Sequence, residues 1–344
     1  MKIIIIGGGE IGLFLAERLS SEHKDVVLIE SDPQRAQLAK QELDIQVIHG
    51  QGSSPSILKQ AGIGNAEMVV AVTTSDEVNM IACLIASAQS TIPIKVARIR
   101  NLEYVNETDI LGENHLGIDC HINPEMEAAE SILKLCQVPA AGNVLDLADD
   151  KLRMISVRME QCSGLCGHKL KDLPEFHPKN KVLICAVERG GKTLIPTGMT
   201  QLDIDDKLWL IAPKEKVQEI LSNIGVSSNP IRRAMLFGST ITTRFVAERL
   251  VKEKIDFKLV SIDREFSEKM AERLDALVLH VPSISVDMLK EENIEDFSAF
   301  IATGQYEEDN ILASLLAKRL GVRKAITLLE KPTYNSLISA IGVD

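Results

Sequence analysis

The strongest constraint in this chain is that it repeats itself. Shifted by 231 residues, Gly7 falls on Gly238, and Ala16-Glu17-Arg18-Leu19 falls on Ala247-Glu248-Arg249-Leu250. Leu28 and Asp32 meet Leu259 and Asp263, while Leu43, Asp44, Val47 and His49 meet Leu274, Asp275, Val278 and His280. Glu77 and Asn79 meet Glu308 and Asn310, so one ungapped register holds for roughly ninety residues. A fixed-period match of this length is the mark of a duplicated folding unit. The copies begin near residues 1 and 232, with a segment of different rhythm between them.

Each copy alternates short apolar runs with helical patterns. In the first, the strand-like runs are Lys2 to Ile6, Val26 to Glu30, Val47-Ile48, Met68 to Val72, Ile94 to Ile99 and Leu116 to Ile122. Pro33 and Pro55 open helices, Asp76 to Ala88 reads as a helix, and Pro124 to Leu135 reads as a last one. Continuous apolar strands between helices imply a parallel sheet buried on both faces, with right-handed crossovers. The expected fold class is α/β: two Rossmann-like, doubly wound parallel sheets separated by a small α+β domain. The divisions expected are 1–137, 143–226 and 232–344, with Pro139 to Gly142 and Gly225 to Pro230 as connections. In the middle segment, Arg153 to Met159, Val182 to Val187 and Lys207 to Ala212 read as strands. Gly190-Gly191 reads as a hairpin turn and Pro213 to Ser222 as a closing helix.

Chemistry concentrates at the start of the first copy. Gly7-Gly8-Gly9-Glu10-Ile11-Gly12 follows a strand and opens a helix, the G-x-G-x-x-G arrangement that cradles a pyrophosphate. The helix N-terminus adds free N–H groups and the positive end of its dipole. Glu30 ends the second strand, where an acid accepts hydrogen bonds from ribose hydroxyls and repels a 2′-phosphate. NAD or an adenosine nucleotide is therefore expected over NADP. Asp32 and Arg35 flank the same strand end, within reach of the adenosine or the phosphates, and Asp32 is counted among the cofactor-binding candidates. Thr73 and Thr74 close the fourth strand at the carboxyl edge, where ligands of such sheets lie. Arg98 and Arg100 alternate on the fifth, as phosphate partners or as ion pairs with an acid such as Glu77 or Glu103.

In the second copy these features are gone. Gly9 and Gly12 become Thr240 and Thr243, Glu30 becomes Ser261, Thr73-Thr74 becomes Gly304-Gln305 and Arg98 becomes Leu329. That unit is expected to fold without binding NAD in the usual way. Three other patterns carry less. Cys162, Cys166 and His168 form half of a metal motif with no second pair nearby, and a turn after a strand reads better. His49 and His280 recur at equivalent places and read as structural, and Cys83 and Cys136 read as core residues.

Composition narrows the partners. With 38 basic against 49 acidic residues the net charge is −11, and 12 of 344 residues are aromatic, so neither a phosphate-backbone surface nor a base-stacking platform is expected. No apolar run approaches the roughly 20 residues of a membrane span, and six cysteines without framework spacing suit reduced thiols.

These residues resemble the RCK (KTN) family of regulatory subunits that serve bacterial Trk potassium-uptake systems. The resemblance rests on the Gly7 to Gly12 loop with Glu30, on Ala71 to Asn79, on Ala97-Arg98-Ile99-Arg100, and on Gly190 to Pro196 followed by Asp203 to Ile211. It covers the whole chain. It implies a nucleotide-binding regulator and not an enzyme, with NAD(H), or ATP or ADP in some members, in the first copy. Gly7, Gly8, Gly9, Glu10, Ile11 and Gly12 would meet the phosphates and Glu30 the ribose, with Thr73, Thr74 and Arg98 at the remaining edge. The implied assembly is a homo-oligomeric ring, commonly tetrameric, under a membrane-embedded TrkH- or TrkG-like transporter. That places the protein in the cytoplasm, peripheral to the inner face of the plasma membrane. The family repeats the N-subdomain/C-subdomain pair twice, and this sequence is expected to lack the second C-subdomain. The rival reading is an NAD-dependent oxidoreductase, disfavoured because no acid–base residue of a substrate domain follows the first copy.

Overall fold

The computed structural model describes residues 1–89, 94–106, 108–112, 115–159, 164–173, 182–226, 228–329 and 334. The first copy runs β1 (Lys2–Ile6), α1 (Glu10–Ser21), β2 (Asp25–Glu30), α2 (Pro33–Glu42), β3 (Gln46–His49), α3 (Pro55–Gln60), β4 (Met68–Ala71), α4 (Asp76–Gln89) and β5 (Ile94–Arg98). Two short helices, α5 (Leu102–Asn106) and α6 (Thr108–Leu111), lead to β6 (Cys120–Ile122) and helix α7 (Pro124–Gln137). The sheet order is β3-β2-β1-β4-β5-β6, with every neighbouring pair parallel.

Successive side chains of a strand point to opposite faces, and β1 shows both faces covered. Ile4 and Ile6 lie in one buried cluster with Val27, Ile29, Val69 and Ala97. Ile3 and Ile5 lie in another with Val26, Leu28 and Val70. Such two-sided burial is why these strands read as unbroken apolar runs.

The middle sheet contains β7 (Asn143–Leu147), β8 (Leu152–Arg158), β9 (Leu183–Arg189), β10 (Lys192–Leu194) and β11 (Lys207–Pro213), followed by helix α8 (Val217–Asn223). Its order is β10-β9-β11-β8-β7, and all pairings are antiparallel. Gly190 and Gly191 both have positive φ, 54° and 74°, as a two-residue hairpin turn requires. Strands β7 and β10 were not foreseen from the sequence; both are short and sit at sheet edges.

The second copy runs β12 (Arg233–Phe237), α9 (Ile241–Lys252), β13 (Asp256–Ser261), α10 (Arg264–Arg273), β14 (Leu277–His280), α11 (Val286–Glu291), β15 (Ala299–Ala302), α12 (Glu307–Arg319) and β16 (Lys324–Thr327). Its parallel sheet has the order β14-β13-β12-β15-β16, equivalent to the first five strands of the first copy. Backbone details recur as well: His23 and Lys254 both have positive φ, as do Gly62 and Asn293.

The repeat offset changes once. Met68 pairs with Ile94 in the first sheet, while Ala299 pairs with Lys324 in the second. The offset is thus 231 at β4 and 230 at β5, so the second copy is one residue shorter between these strands. The structural counterpart of Arg98 is Leu328 and not Leu329, which corrects the alignment made from sequence while leaving an apolar residue there.

The chain divides into two compact units, Met1–Pro124 and Glu125–Asp344. Helix α7, read from sequence as the last piece of the first copy, packs almost wholly in the second unit. There its Glu130 carboxylate meets the Arg249 guanidinium of α9 at 2.5 Å, and its Lys134 ammonium meets Asp146 of β7 at 3.5 Å. The buried Lys324 ammonium at the start of β16 donates to the Ala141 carbonyl at 2.8 Å, joining the second parallel sheet to the stretch before β7.

Candidate functional site

The loop between β1 and α1 is built on close approaches that only glycine permits. Gly7 has φ +107°, outside the range comfortable for residues with a Cβ. A Cβ on Gly12 would lie 1.8 Å from the Gly7 carbonyl oxygen, so the helix can sit this close to the turn only without one. At Gly9, by contrast, a Cβ would meet nothing within 4 Å. The space beside that backbone is open. Gly9 is also the N-cap of α1 and offers no capping side chain, and Glu10 and Ile11 form the first helical turn. The first N–H groups of α1 therefore face this space without a side-chain acceptor, the arrangement that suits an anion.

Glu30 stands at the end of β2, 6% exposed. Its Oε2 accepts the Gly8 N–H at 2.5 Å, and its Oε1 accepts the Asp32 N–H at 2.7 Å and the Ser31 hydroxyl at 3.2 Å. One carboxylate thereby fixes both the glycine loop and the turn after β2. A carboxylate has about four acceptor positions, which leaves capacity on Oε2 beside the open loop. Asp32 has another task. Its Oδ1 accepts the Gln34 and Arg35 N–H groups at 2.8 and 2.9 Å and caps α2. The Arg35 amide hydrogen bond is the main cause that holds this carboxyl below its ordinary value. Asp263 caps α10 in the same way in the copy that lacks the acid at β2, so the cap belongs to the fold.

Across the carboxyl edge, Thr73 and Thr74 follow β4. Fully buried Asn79 of α4, which sequence reasoning did not single out as a site residue, organises them. Its Oδ1 accepts the Thr73 N–H at 2.9 Å and hydroxyl at 2.8 Å, and its Nδ2 donates to the carbonyls of Thr73 at 3.2 Å and Arg98 at 2.9 Å. One side chain thus ties the ends of β4 and β5 together. The available signal was the recurrence of Asn at 79 and 310 in otherwise apolar helical faces. Arg98 ends β5 and is half-buried. Arg100 lies beyond the strand, and its acid partner is Asp76, at 3.5 Å from Nε, where sequence had suggested Glu77 or Glu103. The loop glycines and Glu30 therefore form one side of the edge, and Thr73, Thr74 and Arg98 the other; a Cβ on Gly7 would lie 3.0 Å from the Thr73 nitrogen, which brings the two sides together.

In the second copy threonine side chains fill the turn itself, while a cavity lined by Ser239, Thr240, Ile241 and Arg244 opens beside it. Thr240 caps α9 by accepting the Thr243 N–H at 3.1 Å, and the Thr243 hydroxyl accepts the Thr240 N–H at 3.0 Å. Thr243, fully buried, also bonds the carbonyl and hydroxyl of buried Thr303 at 3.0 and 2.9 Å. The helix N–H groups left uncapped in the first copy are thus partly satisfied internally. Ser261, in the place of Glu30, is buried and accepts the Asp263 N–H at 3.0 Å.

Cys162 lies outside the described residues, and Cys166 is half-buried. Among the described residues there is no group of three or more His, Cys, Asp or Glu side chains arranged to hold a metal ion. No helix among them is long and apolar enough to cross a membrane.

Fold and loop together define a chain of two homologous doubly wound domains, one with an open dinucleotide-type loop and one with that loop filled. The TrkA-N domain family matches residues 3–124 and again 234–344, and the TrkA-C domain family matches 154–225. The Trk system potassium uptake protein TrkA of Halomonas elongata is 34% identical over 345 residues, spanning all of this chain and 75% of the relative. Among solved structures, the GsuK channel bound to NAD superposes with a TM-score of 0.74 at 17% identity, covering all of this chain and 60% of that one. GsuK bound to ADP gives 0.63 at 13% identity, covering 100% and 64%. The structural likeness speaks to fold; the sequence matches establish kinship. The chain belongs to the TrkA family.

Proposed function

We propose that this chain is a nucleotide-binding regulatory subunit of a Trk-type potassium-uptake system and does no catalysis of its own. The observation that carries the reading is the open loop at Gly9, with uncapped helix N–H groups on one side and the Glu30 carboxylate on the other. Its ligand is NAD(H), or ATP or ADP at the same place. Gly7 to Gly12 receive the phosphates, Glu30 the ribose, and Thr73, Thr74 and Arg98 the far edge. The relatives' names supply the transport role, and the NAD and ADP in the GsuK structures supply the ligand class.

The working parts are a nucleotide-responsive part over 1–137, a small part over 143–226 and a second Rossmann-like part over 232–344. The chain acts within a homo-oligomeric ring, commonly tetrameric, on the cytoplasmic face of a TrkH- or TrkG-like membrane subunit. A nucleotide shifts such a ring only by its differential affinity for two shapes. The test is calorimetric titration of NAD, NADH, ATP and ADP into the wild-type chain and Glu30→Ala. Loss of charged hydrogen bonds, each about 1.5–3 kcal/mol, predicts at least tenfold weaker binding in the variant. If no nucleotide binds wild type, the reading fails; sustained substrate-dependent NAD reduction would instead make the protein an oxidoreductase.

A further inference from the structure

A second set of polar contacts surrounds Thr74 and is separable from the Asn79 clamp. The clamp recurs in the filled copy: Asn310 accepts the Gly304 N–H at 2.7 Å and donates to the Gly304 and Leu328 carbonyls at 3.0 and 3.2 Å. It therefore belongs to the fold. The contacts around Asp76 do not carry over in kind, because Asp76 corresponds to Glu307 and Thr74 to Gln305.

Carbonyl and N–H of a trans peptide point in opposite directions. The Thr73 carbonyl points to the Asn79 amide, so the Thr74 N–H points away from it. Thr74 is exposed, and its N–H has no hydrogen-bond partner among the described residues. The Thr74 carbonyl, in turn, accepts a hydrogen bond from the Arg100 guanidinium. Asp76 holds the chain that carries this arginine: its Oδ2 accepts the N–H groups of Arg100 and Asn101, both at 2.8 Å, and its Oδ1 lies 3.5 Å from Arg100 Nε. The Asp76 side chain is 7% exposed, so these contacts are shielded from water.

We propose that Asp76 and Arg100 are positioning residues for the nucleotide site: together with Asn79 they pin the peptides on both sides of Thr74, so that the Thr74 N–H is fixed in advance as a donor to the ligand's phosphates. This rests on the nucleotide reading above. A donor ordered before the ligand arrives spares the free energy of ordering it on binding. In this arrangement the Arg100 guanidinium donates one hydrogen bond, to the Thr74 carbonyl, lies in ion-pair range of Asp76 and acts through Thr74.

The test titrates AMP, ADP, ATP and NAD into the full chain as wild type, Arg100→Gln, Arg100→Lys and Asp76→Asn, with thermal melts of each. Amide spectra with selectively labelled threonine follow Thr74. Arg100→Gln is expected to weaken every nucleotide that wild type binds by a common factor of about five to ten, with a lowered melting midpoint but a folded chain, since Asp76 keeps its two backbone N–H donors. Arg100→Lys, which keeps the charge and loses the fork, is expected to be as weak. In wild type the Thr74 amide resonance shifts on adding ADP, and in the variants that shift shrinks. A loss that grows with phosphate number and is rescued by lysine would make Arg100 a direct phosphate ligand and overturn the proposal. Wild-type affinities in Arg100→Gln, or a Thr74 resonance indifferent to ADP in wild type, would overturn it too. Should wild type bind none of the four nucleotides, the fault lies in the nucleotide reading itself.

Discussion

Helices α1 and α9 share a central stretch of residues and meet different surroundings. Phe14-Leu15-Ala16-Glu17-Arg18-Leu19 corresponds to Phe245-Val246-Ala247-Glu248-Arg249-Leu250. Phe14 is 54% exposed, whereas Phe245 is 3% exposed. Arg18 pairs within its own helix with Glu22 at 3.2 Å, whereas Arg249 reaches across to Glu130 of α7. The glycine loops in front of these helices differ in the opposite sense: open before α1, filled by threonine before α9. One duplicated unit has an open glycine loop on a helix whose phenylalanine faces solvent. Its twin has surrendered the loop and gained tertiary burial.

The contrast can be broken in measurable ways. The largest effect is expected from Phe245→Ala, which should cost about 3–5 kcal/mol as a buried aromatic truncation. Phe14→Ala should change stability by about 0.5 kcal/mol or less. Denaturant unfolding with probes in each unit checks both, and equal losses would void the comparison. Next comes Gly12→Ala, whose Cβ would be driven into the Gly7 carbonyl. It should destabilise the first unit by about 1–3 kcal/mol and abolish nucleotide binding in calorimetry. Thr243→Ala sharpens the other side. Losing one hydroxyl from the Thr240–Thr243–Thr303 group should cost about 1 kcal/mol, and the variant should gain no affinity for NAD.

The last contrast is a difference in acid response, absent at neutral pH. Burial alone would raise the Asp146 carboxyl, but the Arg153 guanidinium hydrogen-bonded to it, with Lys134 and Lys214 nearby, holds it down from 3.8 to about 2. A depressed folded-state value stabilises above the unfolded value, and that stabilisation is lost as pH falls through the folded one. The second unit should therefore lose stability between about pH 4 and pH 2, and Asp146→Asn should flatten its melting profile across that window. A profile unaltered by the substitution would remove Asp146 from the account.

What the sequence revealed, and what it withheld, follows the range of the interactions. Spacing along the chain exposed the glycine loop, the acid at the end of β2 and the duplication, because each depends on residues near one another or on a fixed period. Burial of polar groups was hidden, since it depends on distant packing. Asn79 and Asp76 looked like ordinary first-turn residues of α4. Thr240 and Thr243 were legible as obstacles where glycine should stand, but their partner Thr303 lies sixty residues away and gave no sign. That Asp32 caps α2, as its twin Asp263 caps α10, was not read from the sequence either. The single-residue shortening before β16 passed unseen because the identities that fix the register stop near Asn79 and Asn310. Helix α7 follows the first copy in sequence, yet it groups with the second unit, where Glu130 and Lys134 find their partners.

That placement of α7 bears on the order in which the protein is made. Glu130 leaves the ribosome 119 residues before its partner Arg249. At about 5–20 residues per second, α7 waits on the order of 6–24 s for the helix it salts to. The first unit, contiguous through Pro124, can close while synthesis continues. The second cannot finish until the chain reaches α9, because its first helix and that partner helix are separated by the whole middle sheet.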